Sequence, residues 1–370
     1  MQLYSECNRH KEVALSRRHT TINDVAKLAG VSYQTVSRVI NNKPYVSAAA
    51  KQRVQEVIDK TGYRPSPIAR SLATARSATI GLVVPDISNP YFSAIARGVE
   101  QVAYANNYNV LLCNTGEDAS RELEVLYTLD ERFVDGVIAC GLRQEDAPLQ
   151  QALAQFRGSV LVNRQFPDET IPAIVVDDIW GGFIATQHLL QLGHTAVAFL
   201  AGPITSYSGD RRLQGYKQAL AEANIECQPG WIQHCPPTVA GGATAAQSML
   251  ANHPELSALF CYNDLIAVGA LRHCAVQGQR VPENIAIVGY DNIMLSTLVS
   301  PPLTTCHVPR EEMGSQAVSM LLSCINDEAE TCHEIVVTPE LIIRASTLGV
   351  DTAVTPQPAI YKEITQQGGA

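Results

Sequence analysis

No run in the 370-residue sequence approaches the roughly 18 consecutive apolar residues that a membrane-spanning helix needs. The first residues, MQLYSECNRHKEVALSRRH, carry charges where a secretion signal would place its apolar stretch. A membrane or exported protein is therefore disfavoured, and a cytoplasmic one with no membrane partner is expected. The ten cysteines form no C-x-x-C and no Cys/His cluster at zinc-finger spacing, and several sit in apolar runs such as Val110-Leu-Leu-Cys113. They read as reduced, buried thiols, and no metal is expected. Neither G-x-S-x-G nor a P-loop is present. His188 and His194 flank one helix end with no nucleophile placed by a recognisable motif, His194 reads as structural, and Asp177-Asp178 falls at an expected crossover. No catalytic residue and no cofactor is expected, and the chain does not read as an enzyme.

What is present is an uneven charge. Residues 1–76 hold 13 Lys/Arg and 5 Asp/Glu, a balance of +8, while the remainder holds 14 against 31, or −17. A basic head on an acidic body suggests a nucleic-acid-binding module joined to a domain that stays off the polyanion. Charge alone leaves open a basic disordered tail.

Along the chain, residues 1–19 and 350–370 are polar and aperiodic and read as a disordered extension and a disordered tail. Residues 20–63 contain three short helical patterns, and Pro65 and Pro67 introduce a linker at 64–77 with a short helical stretch at Ile68–Ala73. From Thr79, compact Val/Ile/Leu runs such as Ile80–Val84, Gly136–Ala139, Ala196–Leu200 and Ile285–Val288 alternate with amphipathic helices. Runs that are apolar at consecutive positions belong to strands covered on both faces, so residues 78–349 read as doubly wound parallel α/β. The length suggests two lobes: one of about 78–177 with 306–335, the other of about 178–305 with 336–349. Ligands of such sheets bind beyond the carboxyl ends of the strands, here in the cleft between lobes.

Within Ile22–Asn41, residues Ala26, Gly30, Val31, Val36 and Val39 fall where a helix-turn-helix needs a small residue at the helix crossing, a glycine in the turn and apolar residues beneath the second helix. Ser32 can cap that helix. Tyr33, Gln34, Thr35, Ser37 and Arg38 then stand on the half that meets base edges in a major groove. Gln suits adenine and Arg guanine, each good pair discriminating by roughly 1–3 kcal/mol. Ser47, the stripe Val54, Val57 and Ile58, and Gly62 mark a third helix.

These residues, together with Val46-Ser47, Gly62–Pro65, Ala69–Ala73, Ile80–Phe92, Arg212–Gly215, Asn263-Asp264, Val288–Asp291 and Pro302–Thr305, resemble the lactose-repressor (LacI/GalR) family of bacterial transcription regulators. The resemblance covers residues 20 to 349. It implies an N-terminal three-helix helix-turn-helix domain plus hinge helix, joined to a two-lobed α/β, periplasmic-binding-protein-like effector domain. It further implies a homodimer on a palindromic operator, acting as a repressor. Tyr33, Gln34 and Thr35 match the lactose repressor at its main reading positions, and Arg38 is expected on a guanine. Thr21, Ser37, Asn41 and Ser47 lie where the family touches phosphates. Residues 65–73 match the hinge helix, with Leu72 as the apolar wedge in the minor groove.

In the body the resemblance places effector contacts at Asn89, Tyr91, Phe92, Asn163, Arg164, Arg212, Asn263 and Asp291. Read as residues alone, these are polar or aromatic groups at strand ends or the turns that follow. Arg, Asn and Asp supply the paired donors and acceptors of a polyol, and Tyr91 or Phe92 a flat face for its C–H surface, so a sugar leads as effector. Duller roles stay open: an Arg212–Asp291 salt bridge, a helix cap at Asn263, core packing for Tyr91 and Phe92. At Val308 many sugar-responsive relatives carry a glutamine, which puts any particular sugar in doubt and leaves room for a less polar or modified ligand; a purine or a sugar phosphate is the alternative effector. A solute-binding protein would share the body but has no use for residues 20–76. A tetramer is not expected, because the tail lacks an apolar heptad.

Overall fold

The computed structural model describes residues 20–41, 43–63, 76–167, 170–326, 334–348 and, for backbone only, 361–363. It divides into two compact units, 1–77 and 78–370. The expected extension at 1–19, the hinge segment and its wedge Leu72 lie outside the described residues.

The small unit has three helices, α1 (Ile22–Ala29), α2 (Tyr33–Ile40) and α3 (Ala48–Thr61). Each begins at a hydroxyl cap. Thr21 and Asp24 form a reciprocal capping box on α1, Ser32 accepts from the Thr35 N–H (3.2 Å), and Ser47 accepts from the Ala50 N–H (3.3 Å). Gly30 ends α1 at φ +64°, a left-handed turn that an L side chain would strain. Val25, Ala26, Ala29, Val36, Val39, Val54 and Tyr63 make one small core. Tyr63 closes it from beyond α3, where no helical periodicity reaches.

The large unit holds two sheets. In the first, β1 (Thr79–Val84), β2 (Asn109–Asn114), β3 (Gly136–Cys140), β4 (Ser159–Val162) and β5 (Ala173–Val176) run parallel in the order β5-β4-β3-β1-β2. In the second, β6 (Val197–Ala201), β7 (Ile232–His234), β8 (Ala258–Cys261), β9 (Ala286–Asp291) and β10 (Thr304–His307) run parallel as β10-β9-β8-β6-β7. Strands β1, β3, β4, β5, β6, β8 and β9 are buried almost throughout, as two-sided coverage requires.

Helices α4 (Pro90–Ala105), α5 (Ala119–Glu131) and α6 (Asp146–Leu153) link the first sheet. Helices α7 (Asp178–Gln191), α8 (Tyr207–Glu222), α9 (Val239–Asn252), α10 (Asp264–Val276) and the short α11 (Leu295–Leu298) serve the second. Helix α12 (Arg310–Ile325) returns to pack on α4, and α13 (Ala345–Leu348) lies against β9 and β10. Helices α7 and α8 meet through Gly182 and Gly215: a Cβ on Gly182 would strike the Arg212 carbonyl, and one on Gly215 the Ile179 carbonyl. That approach sets the backbone carrying Arg212 close against the helix that begins at Asp178.

Four strands escape periodicity because they are short or polar: β7, β10, β11 (Ile335–Val337) and β12 (Glu340–Ile342). Strand β10 reads Thr-Thr-Cys-His, yet Thr304 and Thr305 are fully buried with their hydroxyls bonded. Because β10 and β12 pair in the second sheet and β11 joins β5 in the first, the chain passes between sheets after 176, after 307 and after 337. The C-terminal tail departs from expectation at one point. Residues Tyr361–Glu363 form β13, antiparallel to β11, because the exposed edge of a sheet offers unpaired backbone groups to any extended segment. The other residues of 349–370 lie outside those described. Cys113, Cys140, Cys227, Cys235, Cys261, Cys274 and Cys306 are free, and burial raises the thiol pKa of Cys140, Cys261 and Cys306.

Candidate functional site

On the helical unit, Tyr33, Gln34 and Arg38 are exposed while Thr35 and Ser37 are half-buried; Gln34, Ser37 and Arg38 stand on the face of α2 opposite Val36 and Val39, with Tyr33 and Thr35 at its flanks. Thr35, Arg38 and Ser47 share a concave surface with Ser32, between the starts of α2 and α3. Helix starts present unsatisfied N–H groups, so such a surface suits phosphate. Thr21, Asn41 and Ser47 are exposed, and each already holds a helix end: Asn41 donates its amide to the Ser37 carbonyl (2.9 Å). Sequence reading missed three groups beside them. Tyr45 is 94% exposed at φ +72°, and Lys43 and Lys51 line a neighbouring hollow with Arg38 and Tyr45. The positive φ of Tyr45 was invisible in a segment without periodicity.

In the large unit a narrow polar cavity, with about 20 Å³ of free volume, lies between the sheets and is lined from both. Seven of the eight expected effector residues line it. From the first lobe come Asn89, which caps α4 by accepting from the Tyr91 N–H (3.0 Å), then Tyr91, Phe92 and Asn163. The Tyr91 hydroxyl donates to Asn163 Oδ1 (2.9 Å), and the Tyr91 and Phe92 rings meet edge-on at 5.2 Å. From the second come Arg212, Asn263 and Asp291. The duller roles hold alongside the lining ones. Asn263 caps α10 (Oδ1 to the Ile266 N–H, 2.9 Å), and Tyr91 and Phe92 are buried against the core.

Arg164 is the exception. It does not line the cavity: its guanidinium donates to the Leu142 carbonyl (2.8 Å) and Asp146 (2.6 Å) and lies over Phe166. Its neighbour Asn163 takes φ +59°, so successive side chains depart from the simple alternation of a strand end. Val308 is fully buried and also off the cavity. Missed by the sequence reading were Glu117, Arg143, Ser208 and Tyr262. Tyr262 sits next to Asn263 and Ser208 one helical turn before Arg212, whereas Glu117 and Arg143 carry no local signal. His188 and His194 are held by Thr347 and Ser257 (2.9 Å each), and Asp177 caps α7, accepting from the Trp180 N–H (3.0 Å).

Electrostatically the cavity is balanced. Arg212 donates to Asp178 (2.8 Å) and to the Tyr262 carbonyl (2.6 Å), stands 3.9 Å from Asp291, and lies over the Tyr290 ring at 3.6 Å. Arg143 pairs with Glu117 at 2.7 Å. Burial raises Asp291 to about 8, Arg212 opposing it, and raises Asp264 to about 7 although Thr305 Oγ1 (2.6 Å) and the Ile293 N–H (2.8 Å) donate to it. Arg310, at the start of α12, donates to the Asp291 and Asn292 carbonyls across the lobes. Among the described residues no group of His, Cys, Asp and Glu could hold a metal, and no helix is long and apolar enough to cross a membrane.

Two α/β lobes enclosing a polar cavity, on a chain that also carries a helix-turn-helix unit, define the class of effector-controlled DNA-binding regulators. Residues 77–345 match the family described as periplasmic binding proteins and sugar binding domain of LacI family, and residues 21–66 match bacterial regulatory proteins, lacI family. The chain belongs to the LacI family of transcriptional regulators: it is a DNA-binding repressor with an effector domain, and not an enzyme. It is 37% identical over 327 residues to the ribose operon repressor of Haemophilus influenzae, covering 88% of this chain and 98% of that one. It is 36% identical over 327 residues to the HTH-type transcriptional repressor PurR of Aliivibrio salmonicida, with the same coverage. Among solved structures it is similar to the lac repressor dimer bound to operator and the anti-inducer ONPF (28% identity, TM-score 0.79, 89% of this chain and 99% of that one). It is also similar to the transcriptional regulator CelR in its cellobiose complex (32%, TM-score 0.68, 88% and 99%).

Proposed function

We propose that this protein is a cytoplasmic homodimer that binds a palindromic operator, and that a neutral polyol in the inter-lobe cavity sets its affinity for DNA. Tyr33, Gln34, Thr35 and Arg38 read bases, and Thr21, Ser37, Asn41 and Ser47 hold phosphates. The effector is held by Asn89, Tyr91, Phe92, Asn163, Arg212, Asn263 and Asp291. The observation that carries the effector reading is the balanced charge of the cavity. Each lining arginine has its own carboxylate, so a phosphate would find no uncompensated cation. The amides and ion pairs suit hydroxyls, and Tyr91 and Phe92 suit the C–H face of a sugar. A relative named for ribose and a structural neighbour solved with cellobiose point the same way. A dimer accords with the edge strand β2, which exposes Leu112, and with Met294 and Leu298, exposed on the second lobe.

The effector acts by population shift: it binds one arrangement of the lobes better, and a coupling of about 1–3 kcal/mol changes operator occupancy roughly 5- to 150-fold. A purine is the second reading, favoured by relatives named as purine repressors at nearly the same identity. The test is a gel shift of the full-length protein on symmetrical DNA at physiological ionic strength, paired with a thermal-shift screen. Specific binding that neutral sugars modulate supports the proposal. No preference for any palindrome would overturn the operator, and stabilisation by purines alone would overturn the polyol.

A further inference from the structure

Glu117 and Arg143 line the cavity on the first-lobe side and belong to none of the positions the family resemblance implied. Both are held in place from several directions. Gly116 and Glu117 take successive left-handed conformations, φ +71° and +63°, the second unfavourable for a side-chain-bearing residue. Two N–H groups hold that turn, Gly116 and Glu117 both donating to the Pro85 carbonyl (2.8 and 3.2 Å). The strain has a visible result, because it brings the Glu117 carboxylate onto Arg143 Nε. Arg143 is anchored in turn by its backbone N–H, which donates to both oxygens of the buried Glu122 (2.8 and 2.9 Å), and its side chain is only 6% exposed. Tyr262 of the second lobe lines the same cavity, its hydroxyl bonded to Ser206 Oγ at 3.0 Å.

Loop ends after β1, β2 and β3 are thus joined into one rigid polar corner. An ion pair that only braced these loops would have no need to face the cavity. A guanidinium beside a carboxylate presents N–H donors and acceptor oxygens side by side. Two adjacent hydroxyls match this pattern, each accepting one N–H and donating one O–H. An anionic ligand would have to displace Glu117 before reaching Arg143.

We propose that Arg143 and Glu117 form a specificity pair that reads two vicinal hydroxyls of the effector, and that Tyr262 ties this reading to lobe closure. The inference rests on the polyol reading above. To test it, the full-length protein is titrated calorimetrically with D-ribose, D-xylose, D-glucose, D-galactose and cellobiose, and with D-gluconate, ribose 5-phosphate and adenine as contrasts. The tightest neutral sugar and its monodeoxy analogues are then titrated against Arg143→Gln and the nearly isosteric Glu117→Gln.

The expected result is a loss of about 10- to 150-fold in affinity for the parent sugar in each variant, the range of a hydrogen bond to a charged group. Discrimination against one monodeoxy analogue should collapse in the same variants, a readout that general loosening of the loop would not move. Loss below about threefold with discrimination intact overturns the pair and leaves the polyol reading standing. If adenine or ribose 5-phosphate binds and no neutral sugar does, the polyol reading falls and the pair with it. Preference for D-gluconate overturns both the neutral polyol and the pair.

Discussion

The helical unit keeps Gln34 and Arg38, the side chains proposed to read bases, in water, whereas the two-lobed unit buries those proposed to hold the effector. Gln34 and Arg38 lean on nothing but a short capped helix, while Arg212 is enclosed by Asp178, Asp291 and two aromatic rings. Base reading by Gln34 and Arg38 should therefore be separable from stability in the first unit, and effector binding by Arg212 inseparable from it in the second. An exposed reader can be exchanged at little cost to folding. A buried cation is part of the core, and removing it strands its carboxylates.

The strongest way to break this contrast is Arg212→Met. Leaving Asp178 and Asp291 without their partner should cost about 3–5 kcal/mol in denaturant unfolding and abolish effector binding. A loss under about 1 kcal/mol would show that the cavity is not coupled to the fold as described. Next in size, Gln34→Ala should relax discrimination at one operator base pair by roughly 1–3 kcal/mol in a gel-shift series, with effector affinity unchanged. A uniform loss across all sequences would recast Gln34 as a backbone contact. Thr21→Ala removes the capping box of α1 and should lower the stability of the small unit by about 1 kcal/mol, followed by hydrogen exchange of the α1 amides.

The smallest effect is one of pH. Folded values near 7 for Asp264 and 8 for Asp291 stand above the roughly 3.9 of an unfolded aspartate. The folded protein therefore keeps protons that the unfolded chain has released. This contribution to stability is complete below about pH 4 and is lost as pH rises through 7 and 8. Burial lowers His188, His194 and His307, which act in the opposite sense as pH falls through about 6.5 and below. Melting temperature should thus fall between pH 6.5 and 8, and Asp264→Asn should flatten that slope; an unchanged slope would remove Asp264 from the account.

The helix-turn-helix was legible because its grammar is local. Caps at Ser32 and Ser47, turns at Gly30 and Gly62, and an apolar stripe at helical spacing all fall within one stretch of chain. The two-sided strands were legible for the same reason. Strand β10 was not, because its threonines are buried by partners some 40 residues away, such as Ser346, whose hydroxyl accepts from the Thr304 N–H. In the cavity, Asn89, Asn263 and Asp291 could be found from strand ends. Arg164 could not be ruled out from sequence, since only the left-handed turn at Asn163 and the reach of Asp146 direct it elsewhere.

Sequence by itself determined the two kinds of architecture and the family, because helix caps, periodicity and apolar runs act between near neighbours. Tertiary structure alone decided which charges neutralise one another inside the cavity. Glu117 with Arg143, and Asp178 with Arg212, are set together by crossing strands and close-packed helices, and chain separation carries no trace of a distance of 2.7 or 2.8 Å.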